Sequence, residues 1–151
     1  MKTKLSIFIL STLLFAVSCT QPEPSNQQKT EVETTQHQNN PVNYIVLTSN
    51  IQQIRSISEG AQMLKAEGPE NYGKTEVVVC GKTVTEITNA EVMEPILKAI
   101  SEGDLDVKIC EFSINEHKVD ASLIPAPLTT VKNGIWYNFK KQAEGFQSLG
   151  L

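Results

Sequence analysis

The chain has 151 residues, with 13 Lys and Arg against 17 Asp and Glu, for a net charge of −4 at neutral pH. This acidic balance argues against nucleic acid as a partner, because nucleic-acid binding depends on neutralising phosphates with Lys and Arg. The length suits one domain with one core, and the sequence contains no internal repeat.

The first 18 residues are organised like a bacterial export signal. Lys2 and Lys4 give a positive start, and the apolar run over 5–17 is shorter than the roughly 20 residues that a membrane-spanning helix needs. Ala-Val-Ser then precedes Cys19, which resembles the lipobox of bacterial lipoproteins, with Ala where Leu is more usual. The pattern predicts cleavage before Cys19 and attachment of membrane lipid to it. The alternative is an ordinary signal peptide cut near Ser18, which leaves a soluble secreted protein.

The segment 20–41 has the composition of a tether. It contains one Val and no aromatic residue, so it has too little apolar surface to offset the entropy of ordering it. Loss of 1–18 removes two of the 13 basic residues and no acidic one, leaving a net charge of −6. Such a charge does not attract anionic lipid heads. We therefore expect 19–41 to be a lipidated cysteine with a disordered tether, holding an exported domain, 42–151, at a bacterial membrane, facing the periplasm or cell envelope.

The first half of the domain alternates β-rich runs with amphipathic stretches. Apolar residues 44–47 indicate a strand buried on both faces. Asn50 offers a cap for a helix that Gly68 can end. The following elements are a strand over 76–80, a helix over 89–102 that either begins near Pro95 or kinks there, and a strand over 106–110.

The second half continues the alternation with a short helix over 113–121, a strand over 128–131 and a helix over 135–144. In the last helix an apolar stripe is expected to face the core, which makes Trp136 and Phe139 core residues rather than a cofactor platform; the stripe comprises Ile135, Trp136, Phe139 and Ala143. Strands that alternate with helices predict an α/β fold, small and Rossmann-like (flavodoxin-like), with a parallel sheet flanked by helices.

An ordered set of short motifs resembles the DsrE-like family, small Rossmann-like proteins that include sulfur-relay subunits. The motifs are Val-Val-Val-Cys80-Gly81, Cys110-Glu-Phe-Ser113, Leu-Ile-Pro-x-Pro at 123–127, Val-Lys-Asn-Gly at 131–134 and Gln-x-x-Gly-Phe at 142–146. The resemblance implies about five parallel strands and assembly as a homo-oligomer, a trimer or hexamer. It also implies that Cys110 carries persulfide sulfur and exchanges it with a donor or acceptor protein. Relay subunits of this family act in the cytoplasm, so an exported member would need other partners.

Cys110 is also a candidate on chemical grounds. It ends a predicted strand, and ligands of open α/β sheets bind beyond the carboxyl ends of the strands. A helix is expected just after it, and a helix N-terminus stabilises thiolate. Ser113 can donate a hydrogen bond to that thiolate or cap the helix, whereas Glu111 would raise the thiol pKa if it lay close. The alternative is that Cys110 is a small buried hydrophobe, as free cysteine usually is.

Two further residues are secondary candidates. Cys80 ends an apolar strand, where a core or rim role is the simpler interpretation. In a flavodoxin-like strand order 2-1-3, Cys80 and Cys110 would lie two strand spacings apart, about 9.6 Å. A disulfide needs Cα atoms within about 7 Å, so this order argues against pairing. His117 follows on the predicted helix as a base or proton donor for the thiol, or simply as a surface histidine.

No cofactor or metal is predicted, because the cysteine and histidine spacing does not match zinc sites and no glycine-rich phosphate loop follows the first strand. The leading hypothesis is a membrane-tethered protein of sulfur or thiol handling, with Cys110 as persulfide carrier or redox-sensing thiol rather than a high-turnover enzyme. The rival is a non-catalytic module for small-ligand binding or assembly in which Cys110 is structural. A nucleotide-binding protein, by fold analogy alone, is the weakest alternative.

Overall fold

The computed structural model describes residues 40–151, so the predicted signal segment, Cys19 and all but the last two residues of the tether lie outside the described residues. Strands and helices alternate along the described chain: β1 Val42–Thr48, α1 Ile54–Glu67, β2 Tyr72–Val79, α2 Ala90–Gly103, β3 Leu105–Cys110, α3 Glu111–Glu116, β4 Thr129–Val131, α4 Gly134–Ala143 and β5 Gln147–Gly150. Within this part of the chain, no helix is both long enough and apolar enough to cross a membrane.

The five strands form one sheet in the order β4-β3-β2-β1-β5, and every neighbouring pair is parallel. This confirms the predicted fold class. The flavodoxin-like order 2-1-3 is wrong, because β2 lies between β1 and β3. A strand buried on both faces looks the same in sequence whichever neighbours it has, so the apolar runs held no information on strand order.

One face of the sheet carries the main core, and the predicted helices α1 and α2 cover it. Side chains of both helices pack there against Val77, Val79, Val107 and Ile109. The Asn50 side chain accepts a hydrogen bond from the Gln52 amide, and Gly68 ends α1, as predicted. Helix α2 begins at Ala90, so Pro95 lies inside the helix rather than at its start.

The opposite face is covered by α4, which presents a different side from the one predicted. Gly134 and Asn138 are buried against the rest of the domain, whereas Trp136 and Phe139 are 56% and 66% exposed and Ile135 is also exposed. The expected apolar stripe therefore faces outward, and the prediction of Trp136 and Phe139 as core residues is wrong. The physical reason is that the polar groups on the inner side of α4 have partners there: Tyr137 and Lys141 reach the buried Glu76 of β2, and Asn138 bonds to Ser148 of β5.

Candidate functional site at the strand ends

Cys110 lies at the carboxyl end of β3, with its side chain on the α4 side of the sheet. Its neighbours along β3 alternate, so that Val107 and Ile109 face the main core and Cys110 faces α4. The side chain is 3% exposed. The first residue of α4 closes over it, and the Gly134 N–H donates a hydrogen bond to the Cys110 Sγ at 3.4 Å. Because this Sγ sits at the N-terminal turn of α4, the helix dipole favours negative charge on it.

Ser113 lies one turn further along α3 and is equally buried. Its hydroxyl oxygen accepts a hydrogen bond from the Gly81 N–H at 2.8 Å, which ties α3 to the loop after β2. Gly81 has φ of +72°, a left-handed conformation that disfavours other residues. The remaining hydrogen of the Ser113 hydroxyl is available to the Cys110 sulfur. Ser113 is therefore placed beside Cys110, and its role as a donor to the thiolate stays a prediction.

The donors around Cys110 outweigh the cost of burying its charge. Burial raises the pKa of the Cys110 thiol, but hydrogen bonds from Ser113, from the Gly134 N–H and from the Cys80 thiol lower it, and the net shift is downward from the ordinary cysteine value. Thiolate is the nucleophilic form of cysteine, so the site favours the reactive form of a covered sulfur.

Cys80 lies directly beside Cys110. β2 and β3 pair in register with Val79 opposite Ile109, so the next residues along, Cys80 and Cys110, are neighbours on adjacent strands. Both side chains face α4 and meet at Gly134, where a β-carbon would collide with the Cys80 Sγ. The prediction that Cys80 and Cys110 are two strand spacings apart is wrong, because it rested on the incorrect strand order.

The two thiols differ in charge and exposure. Burial, together with repulsion from a charged Cys110 and the hydrogen bond between the thiols, raises the pKa of Cys80 to about 12. Of the two thiols, Cys110 has the lower pKa and is therefore the one that loses its proton first as the pH rises. Cys80 is nevertheless the partly exposed member of the pair, and both thiols are free.

The other residues considered in the sequence lie away from the sulfur atoms. The Glu111 carboxylate accepts a hydrogen bond from the Thr130 hydroxyl at 2.7 Å, on the neighbouring edge strand β4, and is not among the main causes of the pKa shift of Cys110. His117 lies just past the other end of α3, where its Nε2 is 3.9 Å from a Glu116 carboxylate oxygen. The fold brings Cys80, Cys110 and Ser113 together and leaves His117 outside this group.

A buried carboxylate beneath α4 escaped the sequence analysis. Glu76 is 1% exposed, and the Tyr137 hydroxyl donates a hydrogen bond to it at 2.6 Å. The Lys74 and Lys141 ammonium groups lie 2.6 and 3.5 Å from the same carboxylate. Although burial raises the pKa of Glu76, these donors and cations lower it by more, so the group stays ionised. In the sequence, the only indication of this buried carboxylate was a single Glu at the start of an apolar strand. Such a residue is equally typical of the protein surface.

An apolar groove lies on the other face of the sheet, away from the thiols. It has a volume of about 260 Å³ between α1 and the β1–β5 edge, and its lining includes Tyr44, Val46, Ile57, Leu64 and Leu149. Among residues 40–151, no cluster of three or more His, Cys, Asp or Glu side chains is placed to hold a metal ion.

Comparisons with known proteins agree with the fold. MTH1491 of Methanobacterium thermoautotrophicum, a protein of unknown function, is similar in structure with a TM-score of 0.57 and 14% identity, covering 74% of this chain and 98% of its own. BT1422 of Bacteroides thetaiotaomicron, a conserved protein of unknown function, gives a TM-score of 0.54 and 17% identity, covering 72% of this chain and 94% of its own. No protein-family model and no curated protein matches the sequence. The class that fold and site define is a small parallel α/β domain with a thiol pair at its strand ends.

Proposed function

We propose that the protein is a DsrE-like member of the sulfur- and thiol-handling proteins, tethered to a membrane through Cys19, with Cys110 as the residue that carries persulfide sulfur. One observation carries the proposal. The Cys110 sulfur sits at the carboxyl end of a central strand, where the Gly134 N–H and Ser113 stabilise its charged form. A purely structural cysteine has no need of such donors.

The chemistry fits a carrier better than an enzyme of high turnover. In a persulfide the outer sulfur extends about 2 Å beyond Sγ, one S–S bond length, and so reaches outward from a thiol that is itself covered. Ser113 acts as a positioning residue. The Gly81 N–H donates to its hydroxyl oxygen, which leaves the hydroxyl hydrogen free to be donated to the Cys110 sulfur. A donor or acceptor protein would approach at the strand ends, beside the exposed Phe112.

The test is sulfur loading of the folded full chain carrying Cys19→Ser, purified in mild detergent and treated with inorganic polysulfide. We expect Cys80→Ser protein to gain the mass of one sulfur, with peptide mapping placing it on Cys110. Cys110→Ser protein is the matched control and should gain none. If Cys110 reacts only after denaturation, or loads no faster than an unfolded chain, the persulfide proposal fails.

The alternative, a non-catalytic binding module, is favoured by the apolar groove beside β5. Its lining is almost wholly apolar, which suits a small hydrophobic ligand and no charged one. Binding of an environment-sensitive apolar dye, lost in a Leu64→Lys variant and kept in the Cys110→Ser variant, would support this function. An inert Cys110 together with such binding would replace the thiol proposal.

A further inference from the structure

We infer that Cys80 and Cys110 form a reversible disulfide that exchanges with outside thiols through Cys80. The inference goes beyond sulfur loading, because it requires no persulfide and assigns Cys80 a reaction of its own. It rests on the placement of the two side chains on adjacent strands and on the difference in their exposure.

The backbone geometry allows the bond. Adjacent parallel strands lie about 4.8 Å apart. A disulfide joins Cα atoms about 4.4 to 6.8 Å apart. Cys80 and Cys110 continue the in-register pairing of Val79 with Ile109, and the Cys80 N–H donates to the Thr48 carbonyl at 2.9 Å, which holds it in line with the sheet. Both sulfur atoms point to the α4 side and lie against Gly134, so the two side chains are placed to meet across the strand pair.

The two cysteines have different parts in the exchange. Residue Cys80 is partly exposed and Cys110 is 3% exposed, so we expect a thiol from outside to attack the Cys80 sulfur of the disulfide. Cys110 is then the leaving group, and a thiol leaves faster the lower its pKa. The Ser113 and Gly134 donors that lower the pKa of Cys110 therefore favour opening of the bond at the accessible sulfur.

The exchange is balanced as written. An outside thiolate attacks the Cys80 Sγ, forming a mixed disulfide, while the Cys80–Cys110 bond breaks and its electron pair stays on Cys110 as thiolate. A second outside thiolate attacks the outside sulfur of the mixed disulfide and forms a free disulfide. Cys80 departs as thiolate and takes a proton from water. Two thiols are oxidised and one protein disulfide is reduced, and the reverse sequence uses a low-molecular-weight disulfide such as oxidised glutathione.

The experiment uses the folded full chain in mild detergent, with Cys19→Ser so that the pair supplies its only thiols. The protein is equilibrated with buffers of graded reduced and oxidised glutathione, quenched with acid and analysed by mass and peptide mapping. We expect both thiols to disappear together into an internal Cys80–Cys110 disulfide that reduced glutathione reverses. Persistent free thiols, or mixed disulfides alone, in buffers that oxidise the unfolded chain would overturn the inference.

Two single variants then test which sulfur faces outward. In Cys110→Ser protein we expect a glutathione adduct on Cys80. In Cys80→Ser protein the adduct on Cys110 should be lower by about tenfold or more, because the tripeptide does not fit over a covered sulfur. Equal adducts, or more on Cys110, would overturn the role of Cys80. If the chain loads sulfur on Cys110 but forms no internal disulfide, this inference is wrong and the proposed function is unaffected. If the chain forms the internal disulfide but loads no sulfur, the proposed function is wrong and this inference is supported.

Discussion

At the scale of single residues, the pKa of Cys110 depends on one donor close in sequence, Ser113, and one far away, Gly134. Gly134 is 24 residues downstream and donates to the sulfur through its backbone. Glu111, the residue directly after Cys110, accepts a hydrogen bond from Thr130 on β4. The sequence could therefore suggest the Ser113 donor, but only the tertiary structure brings Gly134 to the sulfur.

Ser113→Ala should raise the pKa of the Cys110 thiol, because it removes a hydroxyl that donates to the charged sulfur. The lowered pKa means that thiolate forms as the pH rises through a value below that of an ordinary cysteine. The alkylation rate of Cys80→Ser protein against pH measures this midpoint, and adding Ser113→Ala should move it upward. Ser122→Ala, at an exposed serine that bonds to Asp120, is the matched control and should leave the midpoint in place. An unmoved midpoint in Ser113→Ala would contradict the assigned role of Ser113.

At the scale of elements, α4 is the unusual member of the fold. Its inner side meets the sheet through Tyr137 and Lys141, which reach the buried Glu76. The Lys141 ammonium also lies over the Phe146 ring, 4.8 Å from its centroid. A buried carboxylate needs such partners because leaving it unpaired is costly. These polar contacts fix the rotation of α4, and the same rotation places Gly134 over the thiols.

Tyr137→Phe should lower the free energy of unfolding by about 1–3 kcal/mol at neutral pH, because a buried Glu76 oxygen loses its donor while the ring remains. Chemical denaturation measures the change. Glu76 has a lowered folded pKa, so the stability that depends on its charge is present above the unfolded pKa, near 4.3, and is lost as the pH falls through the folded pKa. The difference in the free energy of unfolding between the wild-type and Tyr137→Phe proteins should therefore become smaller at acid pH. The control is Tyr44→Phe, whose ring stacks on Tyr72 and whose hydroxyl bonds to no other described residue. A loss as large in this control would show that Glu76 is not the cause.

At the scale of the whole molecule, residues 40–151 contain a core of their own. Both apolar clusters are built from residues between Ile45 and Phe146. We expect residues 42–151, expressed alone, to unfold in one cooperative thermal transition, while proteases cut the full chain first within 20–41. A protected tether, or a domain that fails to fold without it, would contradict this boundary.

Export and anchoring are predicted from the N-terminal segment alone. Cys19→Ser should abolish labelling by radioactive palmitate and leave unprocessed precursor, because lipid attachment precedes cleavage at a lipobox. Cys80→Ser serves as the control, since it removes a thiol without touching the signal segment. Normal processing and membrane partition of Cys19→Ser protein would favour the ordinary signal peptide instead.

Assembly is proposed through the outward face of α4, with a second copy of the chain as the partner. Ile135, Trp136 and Phe139 are each more than half exposed on this helix, and burial of such area stabilises association at about 25 cal/mol per Å². Phe139→Ser should weaken self-association in sedimentation experiments, whereas Lys98→Ser, at an exposed position on α2, should not. A wild-type chain that stays monomeric at high concentration would remove this proposal.

The sequence by itself determined the class of fold, the bounds of most elements and the candidacy of Cys110 and Ser113. Period-two and period-three-to-four apolar patterns, with caps such as Asn50 and Gly68, are local properties that any α/β chain must satisfy. Strand β5 was expected only from the family resemblance, since its four residues are all exposed and have no apolar alternation.

Only the tertiary structure decided the strand order, the rotation of α4 and the partnership of the thiols. Strand order depends on which crossover each helix takes, and doubly buried strands have no sequence mark for their neighbours. The orientation of α4 depends on the buried Glu76, whose partners Tyr137 and Lys141 both lie on α4, far from it in sequence. Cys80 and Cys110 are separated by a whole helix in sequence, yet their adjacent parallel strands place the two sulfur atoms side by side.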